Sequence, residues 1–103
     1  MNLTKAKFLA WCEAHPEVAC YDRSGASESC PVSRAAQDLF GDPNILSAGG
    51  KLFFRLPDGS LGETDYLVWM DDVQRACDRN AYVGGSKTIG GQLPLIRQTI
   101  GAA

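Results

Sequence analysis

The sequence has no long apolar run: no stretch of it approaches the roughly 20 consecutive apolar residues that a membrane-spanning helix requires. It has no surplus of positive charge either, because 10 lysines and arginines face 12 aspartates and glutamates and leave a net charge of −2. Proteins that bind nucleic acid directly usually carry a basic surplus. The N-terminal segment lacks the apolar stretch of a signal peptide. We therefore expect a cytoplasmic protein that binds neither membranes nor nucleic acid directly.

Histidines and paired cysteines are scarce as well. His15 is the only histidine, and no Cys-x-x-Cys pair of the kind used in dithiol exchange is present. A nucleophilic cysteine would therefore have a single candidate histidine as its base. Because thiols stay reduced in the cytoplasm, we expect free thiols rather than a disulfide framework at all four cysteines, which are Cys12, Cys20, Cys30 and Cys77.

Periodic apolar residues predict helices at about 4–14, 31–40, 65–79 and 92–100. The second of these begins at Pro31, whose fixed φ suits a first helical position, and Gly41 supplies its end. In the last one, the apolar period already begins at Ile89. A start at Thr88 would place Pro94 in the helix interior at a cost of about 3 kcal/mol, so we expect a start at 91–93.

Alternation over 51–56 predicts a strand with Leu52 and Phe54 on one face and Phe53 on the other. The turn residues at 57–60 extend this strand into a hairpin over 51–63. Short strands are also expected at 17–22, 44–47 and 82–83, with a loop at 23–29. The predicted fold is α+β: one domain over 1–103, in which three to four helices pack on a small antiparallel sheet of two to four strands.

Ser29-Cys30-Pro31 marks the start of the second predicted helix and places a thiol at its N-cap. Free backbone N–H groups and the helix dipole favour a thiolate at that position. Cys30 with His15 as its base is therefore the candidate reactive thiol. The competing interpretation, which we favour, is a buried capping cysteine.

A zinc site is a third interpretation of the same segment, because Cys12, His15, Cys20 and Cys30 offer four soft ligands within a short stretch. Their spacings match no zinc module, and Cys12 also fits the apolar stripe of the first helix. We therefore predict no metal and no cofactor.

The segment 84–91 resembles part of a phosphate-binding loop, since Lys87-Thr88 matches the end of the pattern Gly-x4-Gly-Lys-Ser/Thr. Ser86 and Ala81 stand where that pattern requires glycines. A flexible connector is the preferred interpretation.

Two surfaces are candidates for partner binding. Acidic residues gather in the second half of the chain, and an acidic face there would attract a basic partner. Phe53 shares a strand face with two cations, where it would either anchor a partner or lie beneath a covering helix. The candidate residues are Glu63, Asp65, Asp71 and Asp72 for the acidic region and Lys51, Phe53 and Arg55 for the strand face.

The general type, a short acidic domain without a cofactor motif, resembles the small accessory proteins of bacteria and their phages and mobile elements. The resemblance implies a non-enzymatic protein that binds and inhibits a host complex, for example by occupying the basic channel of a nucleic-acid-binding protein. The alternatives are a thiol-dependent enzyme or redox sensor centred on Cys30, and a structural zinc protein.

Overall fold

The computed structural model describes residues 1–23 and 25–101. Five helices and one three-stranded antiparallel sheet make up the described chain, which confirms the α+β prediction. The helices are α1 (Lys5–Ala14), α2 (Ala26–Ser29), α3 (Pro31–Leu39), α4 (Val68–Tyr82) and α5 (Ile89–Ile100). The strands are β1 (Leu46–Ala48), β2 (Lys51–Arg55) and β3 (Leu61–Glu63).

Helices α1 and α3 begin where the sequence predicts. The Thr4 hydroxyl caps α1 by accepting a hydrogen bond from the Lys7 N–H, and the Cys30 sulfur caps α3 by accepting one from the Ser33 N–H. Each cap satisfies one of the N–H groups that a helix leaves without an internal partner.

The predicted start of α5 at 91–93 is wrong, because the helix begins at Ile89 with Thr88 as its N-cap and holds Pro94 in its interior. Tertiary hydrogen bonds favour the early start. The Ile89 N–H donates to the Val18 carbonyl at 2.9 Å, and the Gly90 N–H donates to the Pro16 carbonyl at 2.9 Å. These bonds, with the burial of Ile89, offset the proline's cost.

Helix α4 begins later than predicted because Thr64 and Leu67 form hydrogen bonds with Leu52 of β2 and Gly50 of the β1–β2 turn. Thr64 donates its N–H to the Leu52 carbonyl and accepts the Leu52 N–H on its hydroxyl. The helix then runs to Tyr82, so the strand predicted at 82–83 is wrong.

Two further local predictions are wrong. Part of the loop expected at 23–29 is the short helix α2. The strand expected at 17–22 is reduced to an isolated bridge between Ala19 and Thr88.

The three strands of the sheet are connected by two turns, and β2 is the central strand. Gly49 and Gly50 both have positive φ, at 56° and 79°, which is what a two-residue hairpin turn between β1 and β2 requires. This turn is fixed on α4: the Gly50 N–H donates to Gln74 Oε1 at 2.9 Å, and the Leu67 N–H donates to the Gly50 carbonyl at 2.9 Å.

The two faces of the sheet differ in environment. Ser47 and Leu52 lie opposite each other on the face that packs against α3, and both are buried. By the alternation of strand side chains, the other face carries Leu46, Ala48, Lys51, Phe53, Arg55, Leu61 and Glu63. We call this set the open sheet face, since each of its side chains is exposed or only partly buried.

The core lies between the helices and the packed face of the sheet. Helix α5 packs against α4 and α1, and α3 packs against α1 and α4. The rings of Phe8 and Trp69 contact each other at an angle of 40°, with their centroids 5.6 Å apart. The largest fully buried side chains include Phe8, Leu3, Ile45, Leu52, Met70, Ile89 and Ile96.

None of the helices within the described ranges combines the length and the apolar character needed to span a bilayer.

Candidate functional site

Cys30 lies in a buried hydrogen-bonded chain at the start of α3. Its side chain is 2% exposed. The Cys30 sulfur lies 3.0 Å from Ser47 Oγ. Ser47 Oγ lies 2.6 Å from Ser33 Oγ, which in turn lies 2.6 Å from the Ser27 carbonyl oxygen.

The order of protons in this chain follows from its carbonyl end. A carbonyl can only accept, so the Ser33 hydroxyl donates to Ser27. The Ser47 hydroxyl must then donate to Ser33, which leaves the Cys30 S–H as the donor to Ser47. Burial raises the pKa of the Cys30 thiol, and the hydrogen bonds with Ser33 and Ser47 oppose this only in part. The arrangement favours a neutral capping thiol over a nucleophile.

His15 is engaged elsewhere. Its Nδ1 donates to the Trp11 carbonyl at 2.8 Å, its ring stacks on the Trp11 ring at a centroid distance of 4.8 Å, and its Nε2 lies 3.9 Å from Asp38. Across residues 1–23 and 25–101, no hydrogen bond joins His15 to Cys30. The histidine that the sequence offered as a base is therefore not positioned on the thiol.

All four cysteines are free and buried. Burial raises the pKa of Cys12 and of Cys20 to about 12. In the part of the chain that the structure describes, no three His, Cys, Asp or Glu side chains are grouped so that they could hold a metal ion.

In the segment that resembles a phosphate-binding loop, the backbone N–H groups of Gly90 and Gly91 already form hydrogen bonds within the protein. The Gly90 N–H donates to the Pro16 carbonyl, and the Gly91 N–H donates to the Thr88 hydroxyl at 3.1 Å. Phosphate loops rely on free backbone N–H groups, and these two are used to begin α5.

The four acidic candidates fall into two kinds. Asp65 and Asp72 are exposed. Asp71 is only 8% exposed; it accepts the Tyr66 hydroxyl at 3.0 Å and the Arg75 Nε at 3.3 Å. Glu63 forms an ion pair with Lys51 at 3.1 Å. Half of the predicted acidic region is therefore already neutralised within the protein.

The strand-face candidates lie together on the open sheet face. Phe53 is half-buried and stands directly between Leu46 on β1 and Glu63 on β3. Arg55 lies opposite Leu61 in the β2–β3 register, and Leu61 is 59% exposed. The Arg55 guanidinium donates a hydrogen bond to the Gly59 carbonyl. The three apolar side chains therefore form a strip across all three strands.

A groove of about 450 Å³ opens at the end of this strip, where β1 begins and the β2–β3 hairpin turns. Arg23, Glu28 and Arg55 contribute charges to its walls, and Phe53 and Leu61 contribute apolar surface. Neither arginine forms an ion pair within the described residues. With two arginines against one glutamate, the groove combines apolar contact area with a net positive charge.

Sequence reasoning did not include Leu46 and Leu61 in this surface. The signals for both were present. The turn at 57–60 places Leu61 opposite Arg55, and a two-residue Gly49-Gly50 hairpin places Leu46 opposite Phe53.

Comparison with known proteins gives no relative: no family model, no curated protein and no solved structure matches the chain significantly. Function is therefore argued from the geometry alone.

Proposed function

We propose that this protein is a non-enzymatic protein-binding module and that the open sheet face is its contact surface. The observation that carries the proposal is the uncovered strip of Leu46, Phe53 and Leu61 across the three strands. Interfaces are centred on apolar and aromatic anchors surrounded by polar groups. Here Lys51, Arg55 and Glu63 surround the strip on the same face.

The charges of the groove define the partner's chemistry. Arg23 and Arg55 attract carboxylates, while Phe53 and Leu61 offer apolar contact. A protein segment that carries an acidic residue beside an apolar one complements both features. Inhibition of a host complex by an accessory protein of this kind stays a prediction from the sequence.

The test compares partner capture by matched variants. Phe53→Ala and Leu61→Ser remove anchors from the strip, whereas Tyr82→Ser alters an aromatic that is 93% exposed outside the open sheet face. Candidate partners are those retained by the wild type and by Tyr82→Ser and lost by both strip variants. With the purified partner, we expect each strip variant to weaken binding by roughly tenfold or more. Equal affinity in all four proteins would overturn the proposal.

A further inference from the structure

A separate, polar cavity reaches Gly49 at the β1–β2 turn. Its volume is about 350 Å³, and it lies between the start of α3, the end of β1 and helix α4. Four of its lining residues, Asp71, Gln74, Arg75 and Asp78, recur at helical spacing and so share one face of α4. None of them is needed for the binding function proposed above.

Gln74 contributes a buried donor without a partner. Its side chain is 5% exposed, and its Oε1 accepts the Gly50 N–H, which fixes the orientation of the amide. Nε2 is buried and has no hydrogen-bond partner among the described residues. Buried polar groups are nearly always bonded, so this donor is open to a water molecule or to a ligand that replaces the water.

Asp78 contributes a carboxylate with spare acceptor capacity. Its Oδ1 accepts the Tyr21 hydroxyl at 2.5 Å, and no other hydrogen bond to this carboxylate is present in the described chain. Tyr21 holds a positive φ of 58°, a strained conformation for a residue with a side chain. The strain is maintained by the bond to Asp78 and by a 2.9 Å bond from the Tyr21 N–H to the Ser29 carbonyl.

Arg75 stands at the mouth of the cavity with its side chain 73% exposed. Its Nε donates to Asp71, and the pair is close to neutral in charge. The remaining guanidinium N–H groups have no bond within the described residues. The cavity thus presents donors from Gln74 and Arg75 beside an acceptor from Asp78.

We propose that this polar cavity binds a small molecule in which a primary ammonium stands beside a carbonyl or carboxylate oxygen, that is, an α-amino acid or its amide. The ammonium would donate to Asp78, and the oxygen would accept from Gln74 Nε2 and Arg75. A simple cation would leave the Gln74 donor unpaired, and a simple anion would be repelled by Asp78.

The test is a titration of the ¹⁵N-labelled protein followed by NMR, with four small probes that differ in which of the two groups they carry. L-Alaninamide and L-alanine carry both groups, N-acetyl-L-alaninamide lacks the ammonium, and ethylamine lacks the oxygen. We expect the Gln74 side-chain NH₂ signals to shift with the first two probes only. No shift with alanine or alaninamide up to about 10 mM, or equal shifts with ethylamine, would overturn the proposal.

Variants test the two assigned contacts. Gln74→Glu keeps the acceptor for Gly50 and removes the donor, and Asp78→Asn keeps an acceptor for Tyr21 and removes the charge. Each should weaken alaninamide binding at least tenfold, whereas Arg79→Gln, on an exposed part of α4, should leave it unchanged. If Gln74→Glu does not fold, Asp78→Asn and the four-probe comparison still decide the outcome. Unchanged affinity in a folded Gln74→Glu or Asp78→Asn variant would overturn the assignment.

Discussion

At the scale of single residues, the proton order around Cys30 determines what this thiol can do. The sequence correctly predicted an N-cap from the Ser29-Cys30-Pro31 segment. It gave no indication that Ser33 and Ser47 would surround the sulfur, because Ser47 comes from β1, which is brought there only by tertiary packing. Burial stabilises the neutral form of this thiol and outweighs the hydrogen bonds and the helix position that favour a thiolate.

Substitution of Cys30 tests this structural role. Cys30→Ala removes both the cap and the first donor of the chain, and we expect a loss of about 1–3 kcal/mol in the free energy of unfolding. Cys30→Ser keeps both functions and should lie closer to the wild type. Urea denaturation measures the difference. Rapid alkylation of Cys30 in the native protein at neutral pH would contradict a neutral, buried thiol.

Asp78 makes a second residue-level prediction, on pH. Burial raises the pKa of Asp78, and the hydrogen bond from Tyr21 opposes this only in part. The Asp78 carboxylate therefore binds its proton more tightly in the folded protein than in the unfolded chain. Stability from this group is therefore present at low pH and is lost as the pH rises from the ordinary carboxyl range through the raised pKa. Asp78→Asn should remove this loss and make the protein more stable at pH 7.

The measurement is thermal unfolding of wild type and Asp78→Asn between pH 4 and pH 7. The difference between the two should grow with pH. A difference that is constant, or largest at the acid end, would contradict the direction of the pKa shift.

At the scale of elements, the sequence predicted those parts whose signals are local. The hairpin over 51–63 and the start of α3 depend on turn residues and on a proline. The start of α5 could not be read this way, because the Ile89 and Gly90 amides are satisfied by the carbonyls of Val18 and Pro16 from a distant segment. The open sheet face was predicted only in part: Leu46 and Leu61 are placed on it by the alignment of strands across the two hairpin turns, which the strand pattern of 51–56 alone does not specify.

Pro94 provides the test of where α5 begins. Inside the helix it costs about 3 kcal/mol relative to alanine, while its rigidity returns roughly 0.4–1 kcal/mol by restricting the unfolded chain. Pro94→Ala should therefore stabilise the protein by about 2 kcal/mol, measured by chemical denaturation. A neutral or destabilising effect would indicate that the helix begins only at 91–93, where proline is tolerated.

At the scale of the whole molecule, some charged side chains form ion pairs within the protein and others are available to a partner. Lys51–Glu63 and Arg75–Asp71 are paired, whereas Asp65, Asp72 and the groove arginines are free to meet a partner. The net charge of −2 conceals this division. For a partner with an acidic segment, we expect long-range attraction from the groove arginines, opposition from Asp65 and Asp72, and affinity from the apolar strip.

Charge reversal separates these contributions. Asp65→Lys with Asp72→Lys should raise the association rate of an acidic partner, most at low salt, with little change in stability, because both side chains are exposed. Asp71→Lys should instead destabilise the fold, since it places a cation beside Arg75 and removes the acceptor of Tyr66. Association kinetics at several salt concentrations, together with thermal unfolding, distinguish the two. A rate unchanged by the double reversal would remove the acidic residues from the interface.

The hydrogen bonds from Ile89 and Gly90 to Val18 and Pro16 also have a kinetic consequence. They join segments near opposite ends of the sequence, so the loop between them must be closed before they form. The β-hairpins, by contrast, close over a few residues and can form early. We therefore expect docking of α5 onto α1 to be a late step of folding, because its bonds to Pro16 and Val18 close a much longer loop than either hairpin does.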